Sequence, residues 1–356
     1  MAKTVTVSAP GRICLFGEHQ DYLGLAVITA AIDLRIRIRG RSTSDRKIRL
    51  HLPDLNEYAC FDLIYPFHYT EERDYFKSTL NILQREGAEL PFGVEALVRG
   101  RIPINSGTSS SSALVVAWTA FLLAMMRDPR AGDPLTIARL AHRAEVVEFR
   151  EPGGQMDHFA SAFGGLLFID FGSETPPQRL PAKLGAFVLG DSREPKDTKG
   201  ILARVKGGVM DALRILGKSA GQVTLEDVER NAARLSTEQQ QLLRAQIVDR
   251  ELTLEAYRLL STPEVDHRRF GEMLTAHHEQ LRDGLRISTP KIDRMLDAAR
   301  KAGAYGGKIN GSGGGGCMFA YAPENTPKVA EAVAEQGGRA YIVRIAEGVR
   351  IEEMVE

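Results

Sequence analysis

The sequence predicts an α+β protein of two domains, and three observations predict it. The opening stretch, to about residue 55, alternates apolar and polar positions as half-buried strands do. A loop of small residues, IPINSGTSSSSA (102–113), runs directly into an apolar helix. A stretch with three prolines, residues 172–184, separates these elements from a second segment in which strands and helices mix. A chain of 356 residues is also longer than most single cores, so two domains are the natural expectation.

Each element follows from local pattern. Residues 4–8 predict a short strand, LRIRIR (34–39) alternates strictly, and residues 47–51 and 92–98 continue in the same style. Residues 113–126 read as a helix apolar on all sides and 135–149 as an amphipathic one, and LLFIDF (166–171) reads as a buried strand. Beyond the linker, residues 186–189 predict a strand, 266–282 and 290–302 predict amphipathic helices, and CMFAY (317–321) predicts a strand after a glycine-rich turn. Residues 225–250 are polar and helical and carry no recognisable chemistry.

Composition removes several classes of function. Lys plus Arg equals Asp plus Glu, at 46 each, so no basic field is available for nucleic acid. No run approaches a membrane span, and the N-terminus lacks the charged-then-apolar pattern of a secretory signal. Three cysteines without a CxxC pair suit a reducing compartment, and a cytoplasmic location is expected.

Two segments bring bare backbone close to a ligand or to one another. In 102–113 the small residues leave amides accessible at a helix N-terminus, which suits phosphate, and one of the four serines can ligate Mg²⁺. A flexible polar linker is the alternative, disfavoured because the helix begins without a gap. GSGGGG (311–316) matches the GxGxxG spacing, but helix precedes it and strand follows, the reverse of a dinucleotide site. No GxxxxGK[ST] pattern is present. A glycine turn packed against another loop is the better account.

The third segment is APGRICLFGEHQDYLG (9–24), where Arg12, Glu18, His19 and Asp21 fall in a glycine-bounded turn. Acid, imidazole and acid together can bond several hydroxyls at once, as a polyol requires. A metal site and a solvated turn are the alternatives, and residues so close in sequence rarely converge on one ion.

These segments occur in a familiar order. GRICLFGEHQDY resembles the galactokinase signature of the GHMP kinase family, IPINSGTSSSSA resembles that family's phosphate-binding motif, and GGKINGSGGGGC resembles its third motif. AEVVEFREPGGQMDHFAS (144–161) is similar to the stretch that carries the catalytic aspartate. HHEQLRDGLRISTPKID (277–293) resembles the helix and turn before motif three.

The resemblance implies a two-domain GHMP kinase fold. Residues 1–180 would form a ribosomal-protein-S5-like domain and 181–356 a ferredoxin-like one, with ATP between them. By motif match, Asp157 and Arg12 are the expected catalytic residues, and Glu18, His19, Asp21 and Gly154 the expected sugar contacts. Asn105, Ser106, Gly107, Thr108, Ser109, Ser110, Ser111 and Ser112 would hold the nucleotide phosphates, and Ser111 and Glu145 the Mg²⁺. The implied reaction is phosphorylation of a monosaccharide hydroxyl, the anomeric one first. Other acceptors within the family, namely a uronic acid, arabinose, an N-acetylhexosamine, a heptose or mevalonate, are the alternatives, as is a non-catalytic sugar and ATP sensor.

The chain departs from galactokinases at several points. Asn105-Ser106-Gly107 stands for Gly-x-Gly, Gly153 and Gln155 replace cysteine and an aliphatic, and no counterpart of the sugar-contacting tyrosine is recognisable. Residues 190–199 (GDSREPKDTK) look more like mevalonate kinases. His158 replaces glutamine, and is read as packing in preference to orienting Asp157. His277 and His278 are expected at the surface.

Overall fold

Alternation in LRIRIR is realised on one long strand, whose Ile36 and Ile38 face the core while Arg37, Arg39 and Arg41 face water. The computed structural model describes residues 3–104, 106–196 and 198–355. Its strands are β1 (Thr4–Phe16), β2 (Ala26–Thr43), β3 (Lys47–Leu52), β4 (Glu57–Asp62), β5 (Gly93–Gly100), β6 (Leu166–Asp170), β7 (Gln178–Arg179), β8 (Phe187–Asp191), β9 (Gly306–Ile309), β10 (Cys317–Tyr321), β11 (Arg339–Val343) and β12 (Arg350–Val355).

Two sheets result. The larger runs β12-β1-β2-β5-β3-β4, with β6 and β7 attached to the other half of β2; the smaller is antiparallel, in the order β11-β8-β10-β9. Helix Ser110–Met126 lies against β1 and β2 with 13 of its 17 residues buried, which explains why it shows no polar face.

The larger sheet also takes in the C-terminal end of the chain, which the expected division assigns to the second half. β12 returns to pair antiparallel with β1, so residues 350–355 belong to the first sheet and not to the second half. The signal was weak, because all six of its residues are exposed and no apolar alternation marks the strand.

Three apolar clusters hold the fold. One fills the first half and a second fills the C-terminal half. The third joins them, setting Ile13, Leu15, Phe16 and Ile28 against Phe187, Phe270, Phe319 and Tyr321. This continuous seam fixes the walls of the crevice described below. Phe270 sits at its centre, with ring centroids 6.0 Å from Phe16 and 5.0 Å from Tyr321. Phe270→Ala is expected to cost about 3–5 kcal/mol of stability, the range for emptying an aromatic site in a core. Urea unfolding measures it.

Candidate active site

The loop before helix Ser110–Met126 is shaped by two residues in left-handed conformation, Gly107 at φ 84° and Ser109 at φ 59°. At Gly107 a side chain is excluded outright, since a Cβ would lie 2.6 Å from the Asn310 carbonyl oxygen. Gly311 meets Gly107 from the other side, with its own Cβ position 2.8 Å from the Gly107 carbonyl oxygen. The glycine turn therefore packs backbone to backbone on the serine loop, as the sequence suggested. The Cys317 amide donates to the Ser106 carbonyl at 2.7 Å, and Asn310 Nδ2 donates to the Gly107 carbonyl at 2.8 Å.

The turn after β1 faces the same crevice. His19 has φ 62°, and its Nε2 lies 3.1 Å from the Ser312 carbonyl. A carbonyl only accepts, so Nε2 carries the proton and Nδ1 accepts from the Tyr22 hydroxyl at 2.8 Å. Burial lowers the His19 pKa to about 4, so the ring is neutral near pH 7. Gln246 Nε2 donates to the His19 carbonyl and Gln20 Nε2 donates to the Gln246 carbonyl, so the polar helix Thr237–Leu260 carries the turn from beneath.

Glu18 is less free than a sugar contact would be. Its Oε2 is 2.5 Å from Lys308 Nζ and its Oε1 accepts the Gly311 amide at 2.9 Å, with both side chains almost wholly buried. Although Glu18 lines the crevice, both of its oxygens already tie the turn to β9 and the glycine loop.

Asp157 opens helix Met156–Phe163, where the helix N-terminus favours its charge. Arg12 reaches it through Nε at 2.8 Å and Nη2 at 2.7 Å, both on Oδ1, while Arg12 Nη1 donates to the Gly107 carbonyl. Burial is the strongest influence on the Asp157 pKa and pushes it up, but the charge of Arg12 and the other favourable contacts together leave the group below the ordinary range. Ser109 turns its hydroxyl toward Asp157, close enough to favour its charge, without completing a hydrogen bond of good geometry.

Asp21 is pressed onto bare backbone, since a Cβ at Gly154 would lie 1.8 Å from its Oδ2. It accepts the Tyr22 amide at 2.9 Å and the Met156 amide at 3.4 Å. Burial first, then the neighbouring charge of Asp157, raises its pKa to about 6.

Glu145 lies within a π-helical turn, Arg143–Val147, that follows helix Pro134–His142. The Ser111 and Ser112 hydroxyls lie close enough to its carboxylate to favour its charge, and His158 Nε2 is 2.7 Å from Oε2. Burial most strongly raises the Glu145 pKa, and the contacts from His158, Ser111 and Ser112 together leave it lowered. Adjacent hydroxyl and carboxylate oxygens fit Mg²⁺, which takes few protein ligands and completes its shell from phosphates and water.

The crevice brings together Arg12, Glu18, His19, Asp21, Ser106, Gly107, Ser109, Ser110, Ser111, Ser112, Glu145, Gly154 and Asp157. Thr108 is buried behind the loop, its hydroxyl 2.7 Å from that of Ser106. Asn105 lies outside the described residues.

Three histidine expectations are corrected. His158 is neither simple packing nor a partner of Asp157; it bonds Glu145. His277 and His278 are buried and not at the surface. His277 stacks on Phe16 with its Nε2 3.5 Å from the buried Asp249, and His278 lies 3.1 Å from Asp293.

Lys196 was missed. It is half-buried between the serine loop and the glycine turn, lines the crevice, and has no hydrogen-bond partner among the described residues. Burial, then Arg12, lowers its pKa to about 8. Lys308, the other missed cation, had a visible signal, since it is the one charge in the otherwise small and apolar run GGKIN.

The comparisons agree with this architecture. The profile for the GHMP kinases N terminal domain matches residues 74–165, that for GHMP kinases C terminal matches 258–341, and the galactokinase galactose-binding signature matches 2–41. The mevalonate kinase of Thermococcus sibiricus is 30% identical, covering 99% of both chains. The galactokinase of Pasteurella multocida is 28% identical over 93% of this chain and 89% of its own. Lactococcus lactis galactokinase, solved with galactose, superposes with TM-score 0.86 at 24% identity, covering 98% of this chain and 95% of that one. Methanococcus jannaschii mevalonate kinase gives 0.74 at 21%, covering 96% and 98%.

The chain belongs to the GHMP kinase family. It is a kinase, with ATP as its phosphoryl donor. Among the described residues, no helix is long and apolar enough to cross a membrane.

The Glu18–Lys308 pair makes a sharp prediction. Lys308→Met is expected to destabilise the protein by about 3–5 kcal/mol, because it strands a buried carboxylate. Adding Glu18→Gln to that variant is expected to recover part of the loss, measured by denaturant unfolding.

Proposed function

We propose that the protein transfers the γ-phosphoryl group of ATP to a hydroxyl of a monosaccharide, the anomeric hydroxyl of a galactose-like sugar first. The observation that carries this reading is the acceptor end of the crevice, where Asp21, seated on Gly154, stands beside Asp157 and the Glu18–His19 turn. Two neighbouring carboxylates favour a neutral acceptor with several hydroxyls over an acid. The match of residues 2–41 to the galactose-binding signature supports the same class.

In this mechanism the serine-loop amides and hydroxyls hold the β- and γ-phosphates over the start of helix Ser110–Met126. Ser111 and Glu145 would hold Mg²⁺, which would supply charge neutralisation on the phosphates. Asp157, kept ionised by Arg12, accepts the proton of the attacking hydroxyl. The sugar oxygen then bonds to the γ-phosphorus, and the bond to the bridging oxygen breaks with its electron pair leaving on ADP. Arg12 lies between Asp157 and the loop, and offsets negative charge on the transferring group.

A second reading has one observation in its favour. Lys196 is a cation facing the crevice with no hydrogen-bond partner among the described residues, which suits an acceptor carrying a carboxylate, such as mevalonate or a uronic acid. The 30% identity to a mevalonate kinase points the same way.

ADP release measured over a panel of galactose, other neutral sugars, uronic acids and mevalonate separates the two. The proposal expects a neutral sugar to give the highest kcat/KM, and turnover confined to acids would overturn it. Asp157→Asn is expected to lower kcat by about 10² or more while ADP still binds. Turnover close to that of the parent enzyme would remove Asp157 from this role. Asp21 accepts hydrogen bonds from the sugar hydroxyls most strongly when ionised, so kcat/KM for the sugar is expected to fall as pH drops below about 6. Asp21→Asn is expected to flatten that acid limb, and a pH series on both proteins checks it.

A further inference from the structure

Behind the residues proposed to hold Mg²⁺ sits a histidine that the mechanism does not use. His158 follows Asp157 on helix Met156–Phe163 and is buried, at 1% exposure. Its Nε2 is 2.7 Å from Glu145 Oε2. A carboxylate oxygen accepts, so Nε2 carries the proton and donates it. Nδ1, the other ring nitrogen, is buried without a hydrogen-bond partner. On its other side the His158 ring meets the His142 ring edge to face, at 5.3 Å between centroids.

This arrangement restrains Glu145 from three directions. The Ser111 and Ser112 hydroxyls approach the carboxylate from the phosphate loop and His158 holds Oε2 from behind, while the backbone sits in a π-turn closed by the Glu148 amide on the Arg143 carbonyl. A π-turn inserts an extra residue and redirects the side chains that follow, so Glu145 needs an anchor of its own. An orphaned Nδ1 is an uncompensated cost, and the hydrogen bond from Nε2 is the evident reason to place an imidazole there rather than an apolar ring.

We propose that His158 is a positioning residue, which fixes the rotamer of Glu145 so that its carboxylate stands beside the Ser111 hydroxyl ready for a divalent cation. The proposal rests on the reading of Ser111 and Glu145 as the Mg²⁺ ligands. Groups that orient a metal ligand typically change metal affinity by about 10- to 100-fold when removed.

The test measures Mn²⁺ binding by electron paramagnetic resonance to the full-length protein in the presence of AMP-PNP, so no turnover is required. His158→Phe keeps a ring and removes the donor, and is expected to weaken Mn²⁺ binding about tenfold or more. His158→Gln places an amide N–H within reach of Glu145 and is expected to bind Mn²⁺ within about threefold of the parent. His158→Asn is too short to reach and is expected to behave like the phenylalanine variant; this asparagine–glutamine pair carries the test if the phenylalanine variant fails to fold. A role in packing alone predicts the opposite order, with phenylalanine tolerated best, and that order would overturn the proposal. Glu145→Gln distinguishes the two levels of the claim. Unchanged Mn²⁺ affinity in that variant removes the metal site itself, whereas weakened affinity there together with unchanged affinity in all three His158 variants removes only the positioning role.

Discussion

A single buried ion pair joins the parts of this protein that have to meet. Lys308 on β9 and Glu18 in the turn after β1 are separated by 290 residues of chain, and both are excluded from water. Lys308 spends its remaining donors on the Cys14 and Ile309 carbonyls, and Glu18 spends its second oxygen on the Gly311 amide. Asn310 adds a parallel link, accepting from the Cys14 amide and donating to the Gly107 carbonyl. The acceptor turn, the serine loop and the glycine turn are thus mutually fixed by groups that satisfy one another. A pair so deeply buried contributes more to geometry than to net stability, because desolvation consumes much of its attraction.

With that frame in place, the chemistry depends on how two neighbouring carboxyls are treated. Asp157 has Arg12 against one oxygen and lies below the ordinary range, whereas Asp21, held by backbone amides, is pushed up to about 6 by burial and the charge of Asp157. Unequal environments for adjacent acids are how one site assigns one group to take a proton and another to orient hydroxyls. Lys196 and Arg12 bring positive charge to the same crevice.

Much of this was legible in the sequence, and what was not has physical causes. The serine loop was readable because small residues running into an apolar helix leave few alternatives, and helix Ser110–Met126 begins where that loop ends. The GEHQDY turn was readable as a cluster, but not as a division of labour. Nothing local says that Glu18 is committed to Lys308 while Asp21 stays toward the crevice, since that choice depends on a strand that arrives 290 residues later. β12 escaped because an exposed edge strand needs no apolar pattern. His277 and Asp249 escaped because buried polar pairs carry no periodic signature. The polar segment at 225–250 looked featureless, yet Gln246 and Asp249 from it lie beneath the acceptor turn.

The central claim is that serine loop, acceptor turn and Asp157 serve one reaction in one crevice. The most direct measurement is a crystal structure with Mg²⁺ and AMP-PNP. The account predicts phosphates over residues 107–112 and the terminal phosphoryl group turned toward Arg12 and Asp157. Nucleotide bound on another surface, or with its terminal phosphoryl group directed away from Asp157, would contradict it.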